Sequence, residues 1–154
     1  MLSELSIKNY ALIDALQVKF DSGLTIITGE TGAGKSVLLG GLGLVLGKRV
    51  DFSHINDINK KCIIEAVFNI DKFNLKSFFE TNDIDFDAQT ILRREVLPSG
   101  KSRAFINDSP VNLSVLSALG EQLIDIHSQQ QTQELTSDDF QFQVLDSLAK
   151  NYNS

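Results

Sequence analysis

The sequence predicts an α/β fold, a three-layer lobe with a mixed central sheet and an antiparallel β subdomain built from the flanking strands. Residues 24–28, Leu-Thr-Ile-Ile-Thr, form a short β-branched run without a polar face, which is typical of a central strand buried on both sides. A glycine-rich loop follows this run directly, and the apolar stretch at 35–46 then predicts a helix. Further runs alternate apolar and polar residues, as strands with one solvated face do.

The remaining elements follow from periodicity and turn residues. Alternation predicts strands at 2–7, 16–20, 63–70, 90–97 and 102–106. Helices are expected at 75–81 and 113–123, the second capped by Asn112, and the turn at 98–101 closes a hairpin. A short strand is expected at 123–127. The glycines at 40, 43 and 47 weaken the first helix, so a close approach to the sheet is expected to compensate.

Length and composition limit the class of protein. The chain has 154 residues, of which 42% are apolar and 22% charged, which suits one globular domain with a real core. The net charge of -6 argues weakly against a surface that is basic throughout. Cys62 has no second cysteine to pair with, which fits a reducing compartment. The longest apolar run, 37–47, is about half of what a membrane span needs, so we expect a cytoplasmic protein without membrane contact.

Residues 29–36 match the complete spacing of a phosphate-binding Walker A loop. Its glycines let the backbone curl, so that successive N–H groups and the positive end of the following helix surround one phosphate. Lys35 is expected to bring its ammonium group to the β- and γ-phosphates, and Ser36 to give its hydroxyl oxygen to Mg2+. The predicted nucleotide-binding residues are Gly29, Glu30, Thr31, Gly32, Ala33, Gly34, Lys35 and Ser36.

The second acidic group that a P-loop enzyme uses to hold magnesium is poorly represented. The best candidate is Leu-Ile-Asp-Ile-His at 123–127, which has two apolar residues before its aspartate and no glutamate after it. A Walker B strand needs a longer apolar run. The chain alone is therefore predicted to bind a nucleotide without turning it over.

Sequence blocks in the right order resemble the head of the RecN family, bacterial DNA-repair ATPases related to the structural-maintenance-of-chromosomes (SMC) proteins. The blocks lie at 5–13, 20–36, 102–111 and 125–129. The resemblance implies a head of the ATP-binding-cassette (ABC) type that a long coiled-coil arm divides into two halves. In this view residues 1–137 are the N-terminal ATP-binding half-head, with the Walker A loop and the Q-loop, and residues 138–154 begin the helical arm.

The resemblance also implies roles for single residues. ATP and Mg2+ are the expected cofactors, and Gln129 matches the Q-loop glutamine that touches Mg2+ and the attacking water. Lys35 and Gln129 are then the catalytic residues, and Ser36 and Gln129 the Mg2+ ligands. Asn9 is a further candidate for nucleotide contact, because related heads approach the nucleotide from their N-terminal strands.

The Q-loop departs from the family pattern around its glutamine. The family has glycine, histidine and glutamate where this chain has Ser128, Gln130 and Gln131. The local pattern also fits a solvated surface amide at Gln129. Both interpretations of Gln129 stay open from the sequence.

The family implies partners beyond this chain. The C-terminal half-head would carry the signature motif, Walker B and the switch histidine, and two complete heads would clamp ATP between them. The full-length protein would engage DNA near double-strand breaks, at the nucleoid. Because the missing half leaves a sheet edge or an apolar patch exposed, we expect the chain to self-associate.

Other functions remain alternatives at this point. A stand-alone P-loop kinase needs lid arginines, whereas Arg93 and Arg94 lie next to a proline-glycine turn that predicts a hairpin. A transporter cassette subunit carries Leu-Ser-Gly-Gly in the same chain, and that sequence is absent here. A dimerisation module is compatible with the half-head. The basic residues at 48–49 and around the hairpin suit either DNA phosphates or a solvated strand edge.

Overall fold

The computed structural model describes residues 1–28 and 34–126. The strands of this part are β1 (Leu2–Tyr10), β2 (Ile13–Lys19), β3 (Cys62–Asn69), β4 (Gln89–Val96), β5 (Ser102–Ile106) and β6 (Ser109–Val111). The helices are α1 (Gly34–Val45), α2 (Lys76–Thr81) and α3 (Leu113–Leu123), with a single 3-10 turn at Phe52–His54.

The six strands form one sheet in the order β2-β1-β3-β4-β5-β6, and every neighbouring pair is antiparallel. The register aligns Ile7 of β1 with Ile64 of β3, and Ala66 of β3 with Leu92 of β4. These residues therefore share one face of the sheet. Since side chains alternate between the two faces of a strand, this register gives the sheet one apolar face and one polar face.

The core lies between the apolar face of the sheet and the helices. Helix α1 contacts β1, β3 and β4, and α3 contacts β5. The leucines of α3 at 113, 116, 119 and 123 recur at helical spacing, which predicts one buried stripe; Leu116, Leu119 and Leu123 are buried and Leu113 is half-buried. Phe68 and Phe79 are completely buried and are the largest side chains of the core. Burial of each such side chain stabilises the fold by about 1.5–3 kcal/mol.

A glycine lets α1 approach the sheet, as the sequence predicts. A Cβ atom at Gly40 would lie 2.8 Å from the Tyr10 hydroxyl oxygen at the end of β1. Gly43 and Gly47 differ from this expectation: the atoms nearest to them belong to Lys48 and to Ser117 of α3, and not to the sheet. The prediction is therefore confirmed for one of the three glycines.

The predicted central strand at 24–28 is not formed. Within the described ranges this segment has no strand partner, and Leu24 and Ile26 are 90% and 76% exposed. A strand that is apolar on both faces needs a neighbouring strand on each side and a cover on each face. The six described strands pair with one another, and none of them pairs with residues 24–28. The ladders of the described residues are all antiparallel, so the predicted mixed sheet is wrong for this part of the chain.

The other predicted strands and helices of the described part are present with ends within a few residues of those expected. Strand β6 was not expected, because a run of three residues that contains Pro110 is a weak strand signal. The expected strand at 123–127 is not seen at 124–126, which has no ladder partner in the described part. Asn112 occupies the N-cap position of α3, but its side chain makes no capping hydrogen bond.

Residues 1–124 form one compact unit. The predicted half-head boundary at 137 and the predicted helix after 138 lie outside the described residues, so both stay predictions. Within 1–28 and 34–126, no helix combines the length and the apolar character needed to cross a membrane.

Candidate nucleotide-binding site

The last three residues of the Walker A spacing begin helix α1. Gly34, Lys35 and Ser36 form its first turn and are all exposed. That turn contains no acidic residue, although helices usually favour carboxylates there. A first turn without a carboxylate of its own suits a phosphate site at a helix N-terminus, where the bound anion supplies the negative charge.

The earlier part of the loop falls outside the described residues. The predicted ligands in this part are Gly29, Glu30, Thr31, Gly32 and Ala33. Gly34 itself has no positive φ, and a Cβ atom there would meet no other atom within 4 Å. Packing therefore gives no reason for a glycine at this position, whereas close approach of a ligand to its backbone does.

The body of α1 is firmly held against the sheet. Val37, Leu42, Leu44 and Val45 are buried, and the helix lies across three strands. The exposed first turn is consequently carried on a rigid support. Lys35 and Ser36 are displayed at a fixed place relative to the sheet, as a preorganised phosphate site requires.

Asn9 is buried near the end of β1 and is engaged by a neighbouring loop. Its φ of 56° lies in the left-handed region, which asparagine tolerates better than most residues. The amide nitrogen donates to the carbonyl oxygens of Asp57 and Lys60 at 2.9 and 3.0 Å, and the amide oxygen accepts from the Asp57 N–H at 2.7 Å. Both amide donors are thus in use. The role of Asn9 in nucleotide binding stays a prediction, and it would require these bonds to rearrange.

The loop that Asn9 holds is also ordered by its own aspartates. The Asn59 backbone N–H and the Lys60 side chain lower the pKa of Asp57, and the Ser53 hydroxyl and N–H lower the pKa of Asp51. Both arrangements are Asx turns, in which a carboxylate accepts from the backbone two residues later. This network is not among the predictions from the sequence, although the Asp-x-Ser and Asp-x-Asn patterns at 51–53 and 57–59 are typical of such turns.

Tyr10 joins the loop to α1. Its ring lies beside Gly40 of α1 and 6.2 Å from the ring of His54. Burial raises the pKa of the Tyr10 hydroxyl. The end of β1, the loop at 51–60 and helix α1 therefore form one packed unit.

The second predicted catalytic residue, Gln129, lies outside the described residues together with Ser128, Gln130 and Gln131. Asp125, the candidate acidic group, is described and exposed. In the described ranges no three His, Cys, Asp or Glu side chains are grouped to hold a metal ion. The Mg2+ roles of Ser36 and Gln129 thus stay predictions.

Two groups of basic residues are separated from the phosphate loop. Lys48 and Arg49 are exposed beyond the far end of α1, a helix of 12 residues. At about 1.5 Å of rise per residue, the last residue of α1, Val45, lies roughly 15 Å along the helix from Lys35, and Lys48 and Arg49 follow beyond it. Arg93 and Arg94 are neighbours in β4, but Arg93 is partly exposed and Arg94 is buried.

The Walker A spacing and the helix that continues from it place the chain in the P-loop class. The chain belongs to the AAA domain family, which matches residues 4–153. It is 43% identical over 150 residues to the DNA repair protein RecN of Vibrio cholerae, and 37% identical over 153 residues to that of Haemophilus influenzae. Each match covers 97% of this chain and 27% of the relative, so the chain spans about a quarter of the length of these curated relatives. The predicted resemblance to RecN is confirmed.

A comparison of folds agrees with this assignment. A structure solved in work on ATP-driven dimerization and DNA-stimulated activation of SMC ATPases matches with a TM-score of 0.64 and 18% identity. The match covers 95% of this chain and 97% of the other. At this identity the likeness concerns the fold alone, and it confirms the predicted head of the ABC and SMC type.

Proposed function

We propose that this chain is the ATP-binding half of an SMC-like ATPase head that acts in DNA double-strand break repair and recombination. The observation that carries the proposal is the Walker A spacing at 29–36, which continues into the first turn of α1 in a chain 43% identical to a RecN protein. ATP is the proposed ligand. The DNA-repair role follows the relatives, of which this chain spans only 27%.

The proposed site uses groups of known chemistry. The backbone N–H groups of the loop and the positive end of α1 surround the phosphates, and Lys35 neutralises charge on the β- and γ-phosphates. The Ser36 hydroxyl and the Gln129 side chain are the proposed Mg2+ ligands, with Gln129 also orienting the attacking water. Bound Mg2+ would supply the positive charge that stabilises phosphoryl transfer.

A second half-head is proposed to complete this one. Leu24, Ile26 and Ile27 are 90%, 76% and 44% exposed, and water contact at such side chains is unfavourable by about 1.5–3 kcal/mol for each one that burial would cover. The longer relatives contain about three times as much sequence again, enough to provide covering strands. We propose that the C-terminal half-head covers this segment and brings the acidic group that hydrolysis needs.

Further partners are proposed for the complete protein. Two heads would close on ATP as a homodimer, in keeping with the SMC ATPases of similar fold that are described by ATP-driven dimerization. Residues 138–154 would begin the coiled-coil arm. The assembled protein would engage DNA in the cytoplasm, at the nucleoid.

The Mg2+ role is tested by exchanging Ser36 for alanine. Mg2+ is expected to raise the ATP affinity of the wild-type chain. In Ser36→Ala this rise should be about tenfold smaller, or about 1.4 kcal/mol, because one oxygen ligand of Mg2+ is removed. The measurement is titration calorimetry with ATP, with and without Mg2+. Ser99→Ala, in an exposed turn, is the control. Equal Mg2+ dependence in Ser36→Ala would contradict the ligand role, and a wild-type chain that binds no ATP would contradict the proposed function.

The uncovered segment is expected to make the chain self-associate. Ile26→Lys should reduce this association, because it places a charge in the middle of the apolar surface. The measurement is the average molecular mass in sedimentation experiments at increasing protein concentration. Leu12→Lys is the matched control, since Leu12 is also strongly exposed, at 83%, but lies outside the segment. A wild-type chain that stays monomeric at every concentration would show that the exposed segment at 24–28 does not drive self-association.

A further inference from the structure

A buried guanidinium group in the sheet lacks a partner. Arg94 of β4 lies on the apolar face and is only 5% exposed. Its Nε atom has no hydrogen-bond partner, and within the described part of the chain it forms no ion pair. Arg93, the preceding residue, lies 3.6 Å from carboxylate oxygens of both Glu65 and Glu95. The Nε atom of Arg93 also lacks a hydrogen bond, but among the described residues only Arg93 has carboxylates within ion-pair distance.

An isolated buried charge is unfavourable. Removing an ion from water costs several kcal/mol, and proteins compensate by pairing the buried charge. Burial lowers the pKa of Arg94, but guanidinium groups keep their charge in proteins, so the group cannot escape the cost by losing its proton. The position is therefore suited to an anion from outside the described residues.

Arg94 lines a cavity of about 420 Å3 at the edge of the sheet. Strand β6 ends at Val111 and pairs with Ala104–Ile106 alone, so the first residues of β5 have no strand beside them on this edge. Ser102 and Arg103 line the cavity there, and Asn112 and Leu113 line it where the chain turns into α3. No lining residue is acidic. The cavity thus presents hydrogen-bond donors and positive charge without a competing carboxylate.

The N-terminus of α3 adds to this positive character. This helix has 11 residues and no acidic residue in its first turn. The Asn112 side chain makes no capping hydrogen bond, so it does not occupy the first amides of the helix. Unsatisfied N–H groups at a helix start attract anions, and the helix dipole strengthens the attraction.

We propose that this cavity binds an oxyanion of the phosphate type, held by the Arg94 guanidinium and by the start of α3, with the charge of Arg103 at the rim of the cavity, on the other face of β5. A guanidinium offers its donors in a planar fork that matches two oxygens of one phosphate. The site is distinct from the Walker A loop, because it lies at α3 and β5 rather than at α1. Its anion is either a free phosphate or a phosphodiester group of a nucleic acid.

The test is a titration with inorganic phosphate at constant ionic strength, made in a Lys35→Ala background that disables the Walker A loop. Phosphate is expected to raise the melting temperature of Lys35→Ala and to bind it measurably in calorimetry. Adding Arg94→Met is expected to weaken phosphate binding at least about tenfold, which corresponds to about 1.4 kcal/mol. Adding Arg93→Met, the matched control on the other face of β4, should leave phosphate affinity unchanged.

A second variant keeps the test valid if Arg94→Met does not fold. Arg103→Ala changes an exposed residue at the cavity and is expected to weaken phosphate binding by about threefold, as loss of one exposed charge should. The proposal is overturned if phosphate does not bind in the Lys35→Ala background, or if binding is unaffected by both Arg94→Met and Arg103→Ala.

The source of the phosphate is distinguished in the same background. The phosphodiester dinucleotide dTpdT and inorganic phosphate are compared as ligands. If both bind and both depend on Arg94, the site accepts a nucleic-acid backbone. If inorganic phosphate alone binds in an Arg94-dependent way, the site takes a free or terminal phosphate. Either result supports the oxyanion site, whereas binding of neither ligand contradicts it.

Discussion

Lys35→Ala is expected to weaken Mg-ATP binding at least about 100-fold, or about 2.7 kcal/mol, while the fold stays intact. The ammonium group of Lys35 is the positive charge that the Walker A spacing places against the β- and γ-phosphates. Lys35 is exposed in the first turn of α1, whereas the helix is held by buried residues further along, such as Leu44 and Val45. Loss of the side chain thus removes a ligand group without opening the core.

Titration calorimetry with Mg-ATP measures this effect, and thermal unfolding without nucleotide checks the fold. Lys48→Ala is the matched control: it removes the same exposed charge beyond the opposite end of the helix, away from the phosphate loop. Its ATP affinity should equal that of the wild-type chain. If Lys35→Ala binds as tightly as the wild-type chain, the Walker A assignment fails.

Gly47→Ala is expected to lower the free energy of unfolding by about 2–5 kcal/mol. Two costs add up at this position. The φ of Gly47 is +97°, a conformation that costs an L-residue about 1–2 kcal/mol. A Cβ atom would also lie 2.7 Å from Cβ and 2.9 Å from Cα of Ser117 in α3, and such overpacking costs about 1–3 kcal/mol. Because the obstacle includes backbone, a change of rotamer cannot relieve it.

Urea unfolding of Gly47→Ala and of a second glycine variant separates these two costs. Gly100 also has a positive φ, of +80°, but a Cβ atom there would meet nothing within 4 Å. Gly100→Ala should therefore show the backbone cost alone, about 1–2 kcal/mol. Equal destabilisation by the two variants would mean that α3 yields and that its contact with Gly47 does not limit the packing.

Local patterns predict most elements of the described fold. Alternation along β1 and β3, and the leucine stripe of α3, depend on neighbours in sequence and appear where expected. The segment at 24–28 does not, because a strand that is apolar on both faces depends on partner strands, which local sequence does not contain. Strand β6 is not predicted because its own sequence pattern is weak, and it forms by pairing with β5.

The same distinction applies to functional groups. The Walker A loop is predictable, since its chemistry is encoded in consecutive residues. The hydrogen bonds of Asn9 reach residues 48 and 51 positions away in sequence, so local sequence does not predict that its amide holds the loop, and its contact with a nucleotide stays a prediction. Arg94 was grouped with Arg93 as surface charge. Strand alternation explains why they face opposite ways, but only the packed helices bury one of them.

The most direct test of the half-head is the ATPase rate of this chain alone and after addition of a separate chain that carries the C-terminal half-head. The chain alone is expected to show no turnover above that of Lys35→Ala, whereas the mixture should hydrolyse ATP and lose that activity when Lys35 is replaced. Turnover by the chain alone, abolished by Lys35→Ala, would contradict the account, because it would mean that residues 1–154 already contain a complete ATPase.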